Sequence, residues 1–243
     1  MQKTFTWTLA NGSTARAVLV ADTISLAGAL AQVDLKPSYP TLAIVGGASK
    51  IDGADLYKLR ELFFHVLAPL VQSLQAVIVD GGTNSGIMRL IGQARASIGG
   101  TFPLVGVLPA GKIIAQDAAP NLEKLETHHT HFVLSPGKQW GDESPWLART
   151  VTALAGGKPS LTLLANGGDI AWQDVTASLD QRRRVAIIAG SGRTADILAE
   201  AVRGRPENQQ ARDLAASGLL RVLDIHSSTE VLKQSLLRMF KNV

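Results

Sequence analysis

The residues best suited to chemistry in this chain lie in two glycine-rich turns. In the first, Val77-Ile78-Val79 runs into Gly81-Gly82, then Thr83-Asn84-Ser85-Gly86, and an amphipathic segment starts near Ile87. Glycine lets the backbone approach a ligand closely, and the first free N–H groups of a helix receive anions. The second follows the apolar run Val185–Ala189: Gly190-Ser191-Gly192-Arg193-Thr194, leading into a helical pattern to Val202. Further apolar runs end in Gly46-Gly47, in Gly106 with Gly111, and in Gly167-Gly168. Several such turns on one edge of a parallel sheet make a cradle for a polyanionic, nucleotide-like ligand.

Individual side chains sharpen that reading. Arg193 follows two glycines at a helix start, where a cation opposes the helix dipole unless an anion arrives. Its planar fork suits a diphosphate, and the plain alternative is an ion pair with Asp196. Thr83, Asn84 and Ser85 can donate to phosphate or ribose, and one of them is expected to cap the helix beginning near Gly86. Trp140, in the polar stretch Gly137–Glu143, can stack on a base or pack on the surface. Asp142 and Glu143 are natural caps for the next helix; in a hydrolase Glu143 is a candidate general base. His129 and His131 would share a face of one strand. With no third ligand in view no metal site is expected, and His131 is read instead as bracing a loop beside the site. Met88 is read as core. No cofactor is expected.

The elements that must position these residues alternate. Phe5–Leu9, Asn11-Gly12 and Ala15–Val20 read as an N-terminal hairpin, and Ile24–Val33 as a short helix. Strands are expected at 42–45, 77–80, 104–108, 131–134, 161–164, 185–189 and 219–223. Helices are expected from about Leu56 to Leu67, capped by Asp52 or Asp55, and at 86–96, 144–155, 170–179, 194–202 and 228–240. The fold class that follows is α/β: a Rossmann-like, doubly wound, mostly parallel sheet with helices on both faces, plus the hairpin. We read residues 1–243 as a single domain, with 1–40 the hairpin and helix and 41–243 the core. The polar stretch 203–211 is read as a surface excursion.

Bulk properties narrow the class. A hydrophobic content of 46% against 18% charged residues is globular and argues against disorder. No apolar run is long enough to span a bilayer, and 1–13 lacks a signal-type apolar stretch, so a cytoplasmic location and no membrane partner are expected. With no cysteine, disulfides and thiolate chemistry are excluded. The net charge of +4 is scattered, and its one dense cluster, Arg182-Arg183-Arg184, reads as a solvated helix end. Nucleic acid is therefore not the expected partner.

Three blocks in series, Gly81–Ala94, His129–Arg149 and Ile187–Val202, resemble the melastatin homology region of TRPM channels in its free-standing or fused prokaryotic form. This module belongs to the SLOG superfamily, with the cytokinin-activating phosphoribohydrolases and the DNA-uptake protein DprA. The similarity runs from about Leu42 to about Val202. It implies a Rossmann-like fold binding nucleotide derivatives of the ADP-ribose or cyclic ADP-ribose class. It implies ligand contacts from Gly82, Thr83 and Asn84, from Trp140 before Gly141, and from Arg193. A further arginine of the channel branch falls near Leu147, with Arg149 two positions on. The enzymatic branch carries Pro-Gly-Gly-x-Gly-Thr-x-x-Glu. Here the turn lacks the proline, has Arg193 in place of threonine, and offers Asp196 as a shorter carboxylate.

The expected function is thus a ligand-sensing module of a signalling or defence system, acting as a homo-oligomer or through an effector protein. The alternative is a nucleotide N-glycosidic hydrolase using Glu143 or Asp196. Single-stranded DNA binding is a third reading, opposed by the scattered charge.

Overall fold

The computed structural model describes residues 3–21, 26–47, 53–114 and 119–241. Asp52 and the start of the expected 24–33 helix lie outside them. The strands are β1 (Thr4–Thr8), β2 (Thr14–Leu19), β3 (Thr41–Gly46), β4 (Val77–Asp80), β5 (Leu104–Pro109), β6 (His131–Ser135), β7 (Ser160–Ala165), β8 (Arg184–Ala189) and β9 (Leu220–Asp224). They form one sheet in the order β1-β2-β6-β5-β4-β3-β7-β8-β9. Among the described strand pairs of this sheet only β1–β2 is antiparallel, and the hairpin extends the sheet by laying β2 parallel to β6.

The helices are α1 (Leu26–Gln32), α2 (Gly53–Glu61), α3 (Ala68–Ser73), α4 (Gly86–Ser97), α5 (Ala110–Ile113), α6 (Ser144–Ala155), α7 (Asp169–Asp180), α8 (Arg193–Val202), α9 (Gln209–Ala216) and α10 (Thr229–Lys241). Strand side chains alternate between two apolar layers, as the pleat requires. Leu42, Ile44 and Ile78 face the layer built from α2 to α4 and α10. Ala43, Val45 and Val79 face α1 and α6 to α9. Burial on both faces explains why the strands read as near-continuous apolar runs.

Two local differences from the sequence pattern have physical causes. The expected helix over 56–67 is interrupted by a π-helical segment, Leu62–Leu67, in which the Ala68 N–H reaches back to the Phe63 carbonyl. Pro69, in the first turn of α3, has no N–H to give, and the wider turn buries Leu62, Phe63, Val66 and Leu67 together. Residues 203–211 lead into α9, capped by Asn208 accepting from the Ala211 N–H at 2.8 Å. The weak apolar pattern there conceals a helix that its cap residue could have announced.

The Arg182–Arg184 cluster also departs from expectation. Arg183 is buried, and its guanidinium donates to the Ala148 carbonyl and to the hydroxyls of Thr152 and Ser160. It ties α6 to the start of β7 rather than solvating a helix end.

Candidate functional site

Strand order decides where a ligand can sit. From β3 the chain moves outward through β4, β5 and β6, then returns to place β7 on the other side of β3 and continues through β8 and β9. The loops leaving β3 and β7 therefore diverge, and a crevice opens at the carboxyl ends of these two strands. A cavity of about 620 Å³ occupies that position, within the range of small-ligand sites.

Its wall is built from several turns. Gly46 ends β3 and Gly47 follows it, Gly81 follows β4, and Thr83, Asn84 and Ser85 lead into α4. Trp140, Glu143 and Leu147 come from the loop before α6 and from α6 itself. Gly168 and Asp169 come from the start of α7, Asp174 from its middle, and Arg193 from the start of α8. The two glycine-rich segments, far apart in sequence, thus meet on one cavity.

Helix starts and Lys124 add positive potential, although α7 and α8 carry Asp169 and Asp196 in their first turns. The N-cap residues of α4, α7 and α8 are Ser85, Gly168 and Gly192, and none of them makes a side-chain capping bond. The expected cap of α4 is absent because the Ser85 hydroxyl pairs with that of Thr83 at 3.0 Å. Uncapped helix N-termini carry partial positive charge and favour anions. Arg193 adds a full charge. Its guanidinium lies against Gly168, where a Cβ would come within 3.0 Å of Nη2. Arg193 is exposed and forms no ion pair among the described residues, and its backbone is left-handed (φ 53°). Non-glycine residues persist in that region only when their surroundings hold them there.

Those surroundings are the rest of the second turn. Asp196 accepts the Gly190 N–H at 2.6 Å and the Gly192 N–H at 3.1 Å. Ser191 Oγ accepts the Asn166 N–H at 2.7 Å, and Asn166 Nδ2 donates to the Ser191 carbonyl at 2.7 Å. Thr194 Oγ1 donates toward the Gly167 and Gly168 carbonyls. Gly190, Ser191, Gly192 and Thr194 therefore stand behind Arg193 and fix it, and their place off the cavity wall corrects the picture of a turn of free amides. Asp196 is occupied by these bonds and lies off the wall as well. Gly167 also stands back, its N–H held by Asn166 Oδ1 at 2.8 Å, while its neighbour Gly168 reaches the cavity.

The first turn is braced from beneath by buried charge. Asp80 Oδ1 accepts the Gly82 N–H at 2.7 Å and faces His129 Nε2 at 2.8 Å. His129 Nδ1 faces Glu126 Oε2 at 2.8 Å, and Glu126 also bonds His128. Burial alone would lower the His129 pKa, but Asp80 and Glu126 raise it to about 9, so the ring is an imidazolium donating from both nitrogens. Glu126 would be raised by burial, yet the bonds from His129 and His128 hold it below its ordinary value. The Gly82 carbonyl accepts the Glu126 N–H and the Lys124 carbonyl accepts the Asn84 N–H, clamping the turn to residues 124–126. Gly82 itself (φ 64°) sits so close to β5 that a Cβ would lie 2.8 Å from Gly106 Cα. Gly82 and Gly86 thus shape the turn from behind, and Gly81 and Thr83 to Ser85 present it.

His131 is elsewhere. It begins β6, paired in register with Arg16 and Val105 at the opposite end of the sheet from the cavity. Its ring bonds Thr130 Oγ1 at 2.8 Å, and burial lowers its pKa to about 4. The structure does not bring it to the site, and His129 lies in the loop before β6, off the strand the two were expected to share.

Four acidic residues, Glu123, Glu143, Asp169 and Asp174, line the cavity. Glu143 precedes α6 but makes no capping bond; its Oε2 accepts the Gly141 N–H at 2.7 Å, and burial raises its pKa. Asp142 likewise does not cap α6 and instead accepts the N–H groups of Lys138 and Gln139. Asp174 is the wall residue that sequence reasoning misses. It lies on the buried face of α7 with Ala171, Val175 and Ser178, and an acid on an apolar stripe is the signal that marks it. Burial raises its pKa to about 7; the nearby Ser144 hydroxyl opposes that rise and the Glu143 charge adds to it.

Among the described residues no helix is long and apolar enough to cross a membrane. Over 197 residues the chain is 23% identical to the mouse transient receptor potential cation channel subfamily M member 2 and 22% to the rat channel. Each match covers 65% of this chain but only 13% of the channel. The molybdenum cofactor binding protein of the phototrophic bacterium Rippkaea orientalis superposes with a TM-score of 0.54 at 14% identity, over 83% of this chain and 97% of that one. The structural-genomics target TM1055 superposes with a TM-score of 0.55 at 16% identity, over 82% and 99%. These two likenesses establish the Rossmann-like fold. The family described as SLOG in TRPM, prokaryote, matches residues 39–233, so the chain belongs to that family, whose module and fold support binding of a nucleotide-related ligand.

Proposed function

We propose that this protein binds a nucleotide diphosphate of the ADP-ribose or cyclic ADP-ribose class and acts as the sensing module of a signalling or defence system. The observation that carries the reading is Arg193, without an ion pair among the described residues, left-handed at the start of α8 and on the wall of the switch-point cavity. A cation at converging helix N-termini is unfavourable until an anion joins it. A diphosphate matches both the helix ends and the guanidinium fork. Trp140, 38% exposed on the cavity wall, offers a face on which a base can stack.

A thermal-shift series with ADP-ribose, cyclic ADP-ribose, ADP and adenosine tests this. At a hundredfold excess over Kd, a bound ligand stabilises the fold by about 2.7 kcal/mol. The diphosphates are expected to raise Tm and adenosine is not. No shift with any diphosphate would contradict the proposal.

Glycosidic hydrolysis keeps a second place because Glu143 is a buried carboxyl on the cavity, whereas Asp196 is spent on its own turn. Free base released on incubation with ADP-ribose or a nucleoside monophosphate, and abolished in Glu143→Gln, would favour that reading. An intact ligand after prolonged incubation would favour sensing.

A further inference from the structure

The cavity has two chemically distinct ends. Arg193 and the starts of α4 and α8 make one end receptive to anions, with Asp169 the acid at the neighbouring start of α7. At the other, where α6 meets α7, Glu143 and Asp174 bring two carboxyls onto the wall beside Trp140. Asp174 is only 9% exposed. Among the described residues its carboxyl forms no hydrogen bond; the buried Ser144 hydroxyl and the Glu143 carboxyl are nearby, and the hydroxyl falls short of a formed bond. Leaving a buried polar group poorly paired is costly, so an acid left open toward a cavity marks a position that a ligand completes.

The chemistry of the pair selects the ligand group. A phosphate offers only acceptors and negative charge, and Glu143 would repel it. An amino group only donates, so it would leave the O–H of a protonated acid without an acceptor. Each oxygen of a vicinal diol both donates and accepts, so a diol can satisfy a carboxylate and a neighbouring carboxylic acid together. Trp140 lines the same cavity, so a base stacked on it keeps its sugar within reach of that wall.

We propose that Glu143 and Asp174 form a subsite for the cis-diol of the adenosine ribose, making the cavity selective for ribonucleotide diphosphates over their deoxy counterparts. This rests on the nucleotide-binding reading above and deepens it. Neither residue need take part in bond cleavage.

The experiment is a cycle of two ligands and two proteins at pH 7. ADP-ribose and its analogue lacking the 2′ and 3′ hydroxyls of the adenosine ribose are titrated into wild type and Asp174→Ala. Wild type is expected to bind ADP-ribose roughly tenfold or more tightly than the analogue, the scale of a lost buried hydrogen bond. In Asp174→Ala, with its Tm confirming the fold, that ratio is expected to fall toward one, and Glu143→Gln should reduce it in part. A wild-type ratio near one, or an undiminished ratio in Asp174→Ala, would overturn the subsite while leaving nucleotide binding intact. Failure of ADP-ribose to bind wild type at all would remove both proposals.

Discussion

His129 Nε2 lies 2.8 Å from Asp80 Oδ1, with both side chains fully buried. The same Asp80 oxygen holds the Gly82 N–H, so the charge pair sets the conformation of the turn that presents Thr83 to Ser85 to the cavity. His129→Ala should destabilise the protein by roughly 3 kcal/mol, the usual cost of breaking a buried pair. Urea denaturation at pH 7 measures it, and a change below about 1 kcal/mol would deny the pair its bracing role.

The same pair makes stability depend on pH. The folded pKa of His129, about 9, lies above the unfolded value of 6.5. Its contribution is therefore fully present below pH 6.5 and is lost as pH rises toward and through 9. The urea midpoint of wild type should fall across that window. In His129→Ala this component should vanish.

Asp174 makes the unliganded fold weaker as its proton leaves. Its folded pKa, about 7, lies above its ordinary 3.8, so the fold holds an extra proton between these values and loses stability as pH rises through that range. Asp174→Asn should be more stable than wild type at pH 8 by roughly 2–4 kcal/mol, since a tenfold change in acidity corresponds to about 1.4 kcal/mol. Equal Tm values at pH 8 would contradict this. Stability gained by removing an acid is the usual sign of a group kept for function.

Asp196 tests whether the second turn works by holding Arg193. Asp196→Ala frees the N–H groups of Gly190 and Gly192 and should cost about 1–2 kcal/mol of stability. It should also weaken nucleotide binding nearly as much as Arg193→Ala, although Asp196 does not touch the cavity. Unchanged affinity would show that Arg193 is placed by other contacts.

Much of this arrangement is legible in the chain because it follows from local pattern. Apolar runs ending in glycine mark the strands and the edge carrying the site, and Asn11-Gly12 marks the hairpin. Thr83 to Ser85, Trp140, Glu143 and Arg193 are readable from residue type and setting, and the structure brings them to one cavity. Which amides remain free is not readable, because that depends on contacts far apart in sequence. Asn166 and Ser191 are 25 residues apart, and Asp80 and His129 are 49 apart. His131 opens the strand expected at 131–134, and in a parallel sheet chain direction alone puts the first residue of a strand at the edge away from the ligand. Asp174 passes for an ordinary polar residue of a helix, although its spacing from Ala171 and Ser178 puts it on the buried stripe.

Calorimetric titration of ADP-ribose into wild type and Arg193→Ala, with Tm measured for both, addresses the site as a whole. Wild type should bind with one site per chain. Arg193→Ala should keep its apo Tm and lose roughly a hundredfold or more in affinity, as removal of a charge-assisted contact of about 3 kcal/mol requires. Equal affinities for the two proteins would contradict an anion held by this guanidinium at the switch point of the sheet.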